Sequence, residues 1–160
     1  MAPGDTHRAV LALGSNLPPR EHHLDLALTR LAKVGVMVRA ATERWNTRPV
    51  DAPPQPDFLN QLLLVEGAIE DGGWLEAAQR CEGPRRRWVP KGPRELDVDV
   101  VLVEGVVSSD SRLVLPHPAL GARPYLLCGA SRLVPLWRPL PGGPTVAELA
   151  RARLPPEWWP

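Results

Sequence analysis

The sequence has only two cysteines in 160 residues, Cys81 and Cys128, with no C-x-x-C spacing, which excludes a disulfide framework and a cysteine-rich zinc site. Both are expected to be ordinary semi-buried residues. No apolar run approaches the length of a membrane span, and Met1-Ala2-Pro3-Gly4-Asp5-Thr6 lacks a basic region followed by an apolar one. A cytoplasmic protein without membrane contact is expected. Charge of one sign is not in excess either, since 19 Lys and Arg face 18 Asp and Glu, so diffuse attraction to nucleic acid is excluded and any anionic ligand must be gripped locally. The exposed aromatics and basic face of an RNA-binding sheet are not found. Neither G-x-x-x-x-G-K-[ST] nor G-x-G-x-x-G occurs. A bound nucleotide would therefore be held by side-chain cations and metal, without a glycine cradle at a helix N-terminus.

Proline is abundant, 20 residues against 13 glycines, which stiffens the loops by restricting φ. Residues 8–13 (RAVLAL) form an apolar run that stops at Gly14-Ser15-Asn16, the pattern of a strand and turn. Pro18-Pro19 then opens a helix over 20–33, with Leu24, Leu28 and Leu31 on one stripe and Gly35 beyond its end. Strands are expected over 36–42 and 58–69, joined by a proline-rich loop over 46–57 that is long enough to be functional. After Gly72-Gly73 comes a helix over 74–81, then a basic loop over 82–94 and a strand over 95–103 (ELDVDVVLV). Helices over 123–133 and 145–153 complete the chain. The order βαββαβ matches an α+β ferredoxin-like sandwich, with helices on one face of an antiparallel sheet, and argues against a doubly wound sheet. One monomeric domain is expected over 1–160, with 1–7 and 154–160 as peripheral tails.

Asp97 and Asp99 lie two apart on the last strand, so their carboxylates share a face while Leu96, Val98 and Val100 point the other way. Such a pair needs compensation, and magnesium, which takes one or two carboxylates and fills its shell with water and phosphate oxygens, supplies it. Solvent exposure at a sheet edge is the competing explanation. Arg94 just before the strand, Arg85, Arg86, Arg87 and Lys91 in the loop, and Arg112, His117 and Arg123 after it would neutralise a polyphosphate. A solvated basic surface accounts equally well for Arg87 or Lys91 taken singly.

Four stretches in order resemble the signatures of a known family: Leu13-Gly14-Ser15-Asn16, Gln55-Pro56-Asp57-Phe58-Leu59-Asn60, Gly92-Pro93-Arg94-Glu95-Leu96-Asp97-Val98-Asp99-Val100, and Leu115-Pro116-His117-Pro118. The family is 6-hydroxymethyl-7,8-dihydropterin pyrophosphokinase, and with flanking matches the resemblance covers about residues 10–130. It implies transfer of the terminal pyrophosphoryl group of ATP to the pterin hydroxymethyl group in folate biosynthesis, on a ferredoxin-like fold with two magnesium ions held by Asp97 and Asp99. Arg94 and Arg86 join these carboxylates as catalytic residues, although any of Arg85 to Arg87 fits the second role. ATP would meet Leu75, Gln79, Arg94, Val100, Arg112, Leu113, His117 and Arg123. The pterin would meet Thr47, Pro49, Val50, Phe58, Asn60 and Tyr125, with the two aromatics sandwiching the ring and Asn60 reading its amide edge. Plain core packing competes for Phe58 and Tyr125. This chain departs from the family's pattern in a shortened basic loop, in Trp45 where tyrosine is usual, and in Arg48 where proline is frequent. The alternative function is a ferredoxin-like module that binds a ligand without catalysis.

Overall fold

A computed structural model describes residues 4–84 and 90–159. Four antiparallel strands carry the fold: β1 (His7–Ser15), β2 (Met37–Ala41), β4 (Phe58–Gly67) and β5 (Asp97–Val103), ordered β2-β4-β1-β5. A short β3 (Trp45–Thr47) shares the outer edge of β4 with β2. Beyond β5 lies a small hairpin of β6 (Ser108–Asp110) and β7 (Leu113–Leu115). With α1 (Arg20–Lys33) after β1 and α2 (Gly73–Glu82) before β5, the βαββαβ order expected from the pattern is present.

Two cores sandwich the sheet, and strand alternation divides residues between them. Ala9, Leu11 and Leu13 of β1, Leu63 and Val65 of β4, and Val98 and Val100 of β5 face α1 and α2. From α1 come Leu24, Ala27 and Leu31, from α2 Trp74, Ala78 and Cys81. Burying each leucine of this set contributes about 1.5–3 kcal/mol. Glu21 in the first turn and Arg30 and Lys33 in the last complement the dipole of α1, and Gly35, at φ +79°, ends it.

The opposite face carries Val10, Ala12, Leu62, Val101 and Leu102, covered by α3 (Pro124–Leu133) and α4 (Val146–Arg153). Helices on one face is therefore corrected: α1 and α2 obey it, while the two later helices cover the other face because it too is apolar. The expected tail is corrected in the same way. Leu154 is buried in this second core, and Trp158, in a 3-10 turn over Pro156–Trp158, packs against it. A reciprocal capping box between Thr145 and Glu148 starts α4.

The helix α3 approaches β4 closely because Gly129 has no side chain. A Cβ there would lie 2.7 Å from Leu62 Cδ2 and 3.1 Å from its Cβ. Gly129→Val is expected to cost about 1–3 kcal/mol through overpacking, read as a shift in the urea midpoint.

Candidate active site

The face covered by α3 is left open at one end, where β1 finishes and β4 and β5 begin. Register places Gly14 between Asn60 of β4 and Asp97 of β5, and Ala12 between Leu62 and Asp99. Residues directly opposite share a face. Phe58, Asn60, Asp97 and Asp99 therefore stand on one floor around Gly14 and Ala12. A cleft of about 240 Å³ opens there. Its lining includes all six expected pterin residues, Thr47, Pro49, Val50, Phe58, Asn60 and Tyr125, together with Arg94, Asp97, Asp99 and Arg123.

The floor is built tightly. A Cβ on Gly14 would come within 3.1 Å of Asn60 Oδ1 and 3.6 Å of Phe58 Cδ1, so glycine leaves the amide oxygen and the ring their space. Asn60 is 4% exposed and its Nδ2 donates to Thr47 Oγ1, tying β4 to the end of β3. Plain core packing is not the fate of Phe58, which is half-buried at the cleft wall. Tyr125 packs against the second core and also lines the cleft; burial pushes its hydroxyl pKa up, partly opposed by the nearby Arg123.

Asp97 and Asp99 point away from Val98 and Val100, which are buried against α1 and α2, so the alternation expected for D-x-D holds. Arg94 forms an ion pair with Asp97. Asp99 is the strained group. Burial, then the like charges of Asp97 and Glu82, push its carboxyl up to about 7, against the opposing pull of Arg123 and Arg94. Glu82, at the end of α2, accepts a hydrogen bond from the Val98 NH at 3.0 Å and had no role in the motif reading. Among the described residues no group of three or more His, Cys, Asp or Glu converges as a metal cage. Two adjacent hard-oxygen donors, one of them destabilised as an anion, fit a magnesium ion that draws its other ligands from water and phosphate.

His117 follows β7. Its main-chain NH donates to the Val101 carbonyl at 2.9 Å, and its Nδ1 accepts from the Ala119 NH at 3.0 Å. The neutral ring thus carries its proton on Nε2, available to an anion. Burial and then Arg123 lower its pKa, with Asp97 opposing.

A second depression of about 550 Å³ brings together Leu75, Gln79, Arg112 and Leu113, four of the expected ATP residues. Val100 is not exposed there. The whole residue is 4% exposed. The Val98 NH faces the free edge of β5, where Glu82 accepts it, and two residues further along the strand the Val100 NH faces the same edge. Arg86 lies outside the described residues, as do Arg85 and Arg87.

One residue quoted in the motifs without a role proves to be a joint. Asn16 is fully buried. Its Nδ2 donates to Gln55 Oε1 at 2.8 Å and the Pro56 carbonyl at 2.9 Å, and its Oδ1 accepts the Arg94 NH at 2.8 Å. Gln55 Nε2 in turn donates to the Lys91 carbonyl at 2.8 Å, and Lys91 Nζ to the Asp51 carbonyl at 3.1 Å. The loop over 46–57 and residues 91–94 are thereby laced together beside the cleft. Asp51 and Lys91 both hold positive φ, +48° and +56°, at one of these ties.

Comparison with known proteins agrees with this geometry. Residues 10–135 match the family model of 7,8-dihydro-6-hydroxymethylpterin-pyrophosphokinase. The 2-amino-4-hydroxy-6-hydroxymethyldihydropteridine pyrophosphokinase of Methylorubrum extorquens is 36% identical over 155 residues, covering 93% of this chain and 94% of the relative. That of Bacillus subtilis is 32% identical over 122 residues, covering 74% and 73%. Among solved structures, Plasmodium falciparum HPPK-DHPS wild type with SDX-DHP has a TM-score of 0.65 at 11% identity and shares the fold. The alignment covers 91% of this chain but 43% of that longer one. Two adjacent carboxylates, a cleft walled by the only Phe and Tyr, and a match over most of the length converge on one statement: the chain belongs to the 7,8-dihydro-6-hydroxymethylpterin-pyrophosphokinase family.

Proposed function

We propose that this protein transfers the pyrophosphoryl group of ATP to the hydroxymethyl group of 6-hydroxymethyl-7,8-dihydropterin, in the cytoplasm and as a monomer. The observation that carries the reading is the placing of Asp97 and Asp99 on the floor of the cleft that Phe58, Asn60 and Tyr125 line. In the reaction the hydroxymethyl oxygen bonds to the β-phosphorus of ATP, the bond from that phosphorus to the α,β-bridging oxygen breaks, and AMP leaves. The hydroxyl proton is released as the new P–O bond forms.

Phe58 and Tyr125 would hold the flat ring between them. Asn60 Oδ1, free because the Thr47 bond engages only its Nδ2, would accept from the amide edge of the pterin. Asp97 and Asp99 would hold magnesium, two ions in this reading, which when bound offsets the negative charge of the triphosphate and of the transferring group. Arg94, Arg123 and the Nε2 of His117 would contact phosphate oxygens, with Arg86 joining from the basic loop. Leu75, Gln79, Arg112 and Leu113 would surround adenine and ribose, and Val100 would contribute its main-chain NH. Orientation of two substrates and charge neutralisation are what such a transfer chiefly requires.

Chromatography of nucleotides after incubation with ATP, magnesium and the hydroxymethyl dihydropterin tests this. AMP is the expected product. ADP, or no conversion by a folded sample, would overturn the reading. Gly14→Val narrows the floor beneath the pterin and is expected to raise its KM by about tenfold, with KM for ATP changing far less. Steady-state kinetics with each substrate varied in turn checks it.

A further inference from the structure

Residues beyond 135 lie outside the family match, yet they reach back to β3, beside the cleft. Trp158 packs edge-on against Trp45, ring centroids 5.9 Å apart at 62°. The Arg132 guanidinium carbon lies 5.5 Å from the centroid of the Trp45 ring. Glu43 Oε1 accepts from both Trp45 Nε1 at 3.0 Å and Arg132 Nη1 at 2.5 Å. Trp158 is itself held in place: its carbonyl accepts from Cys128 Sγ at 3.3 Å, and its NH donates to the Pro155 carbonyl at 2.9 Å.

Trp45 does not line the cleft, but both its neighbours in the sheet do. It pairs across β3 and β4 with Asn60, and it sits two residues before Thr47, on the same strand face. Among the described residues only β4 pairs with β3, which is three residues long; the ties at Asp51, Gln55 and Pro56 hold the far part of the loop over 48–57, and the packing on Trp45 bears on where its near part leaves the sheet.

We propose that Trp158 is a positioning residue for the pterin loop, acting through Trp45, so that the C-terminal segment fixes the wall formed by Thr47, Pro49 and Val50. The inference rests on the pterin reading of the cleft, and its test has a readout independent of turnover. In Trp158→Ala, hydrogen–deuterium exchange of peptides spanning 45–57 is expected to quicken about threefold or more, with β1 and β4 peptides unchanged. KM for the hydroxymethyl dihydropterin is expected to rise about three- to tenfold, as for one lost aromatic pair, and KM for ATP to stay within about twofold. Trp158→Phe restores both. If Trp158→Ala does not fold, Trp158→Leu keeps the apolar bulk without a ring and is expected to show the same pattern. Unchanged exchange over 45–57, or acceleration shared equally by β1, would overturn the inference. Wild-type protein that makes no AMP would instead overturn the proposed reaction, leaving the exchange result to decide the role of Trp158.

Discussion

Asp99→Ala is expected to lower kcat/KM for AMP formation by about 10³-fold or more, equivalent to ~4 kcal/mol of transition-state stabilisation, while the far-UV circular dichroism spectrum stays that of the wild type. Both halves follow from one placement. Asp99 stands on the cleft floor beside Asp97, where the proposed reaction brings a triphosphate and its magnesium. Yet its backbone is fixed by pairing with β1, and the adjoining core residues Val98 and Val100 are untouched by the substitution. Asp97→Ala is expected to show a comparable loss and also releases Arg94 from its ion pair. Full activity in either variant would place the metal elsewhere.

Without metal, the same carboxylate is expected to be a liability to the fold. Asp99 has its carboxyl raised to about 7 by burial and by Asp97 and Glu82, against an ordinary value of 3.8. A raised acid favours the folded state in its protonated form. Its contribution is present in full below about pH 4 and is lost as pH rises through about 7. In EDTA, wild-type stability is therefore expected to fall between pH 4 and 7 relative to Asp99→Asn, which keeps the shape and never ionises. Above pH 7.5 the variant should be the more stable by about 2–4 kcal/mol, from ~1.4 kcal/mol per pKa unit, and the two should converge near pH 4. Millimolar magnesium should narrow the gap, since the wild type, with both carboxylates, gains more from bound metal than the variant does. Parallel stability curves across the pH range would show that Asp99 is solvated and unstrained.

Much of the fold was legible because long periodic segments speak for themselves. The leucines of α1 recur on one stripe and land in the first core, and the alternation of Asp97, Val98, Asp99 and Val100 separates site from core as strand geometry demands. The three-residue β3 was not legible, since Trp45–Thr47 has no room for a period and exists because the edge of β4 is free to pair. The hairpin β6–β7, two strands of three residues, carries no period for the same reason. The side of the sheet taken by α3 and α4 depended on Val10, Ala12 and Leu62 being apolar too, a fact that a single strand's pattern states only when both faces are counted.

The site divides likewise. Ordered motifs located Asp97, Asp99, Phe58 and Asn60, because those residue types carry the chemistry themselves. The joint at Asn16 depends on where three distant segments meet, and no local spacing encodes hydrogen bonds across 39 and 78 residues of chain. Glu82 carries no signal in the sequence because a glutamate closing a helix reads as an ordinary polar end, and only the docking of α2 on β5 brings it to Val98. The end of the chain, with its Pro155-Pro156-Glu157-Trp158-Trp159 sequence, read as a tail since its prolines conceal any period, whereas Trp158 finds its partner in Trp45.

The most direct measurement follows the β-phosphorus. ATP carrying label at that atom, incubated with magnesium and the hydroxymethyl dihydropterin, is expected to deliver one labelled phosphorus to the pterin product for each AMP formed. Asp97→Ala and Asp99→Ala should deliver almost none in the same time. Label left on nucleotide as ADP, or equal transfer by the two variants, would contradict a pyrophosphoryl transfer centred on these carboxylates.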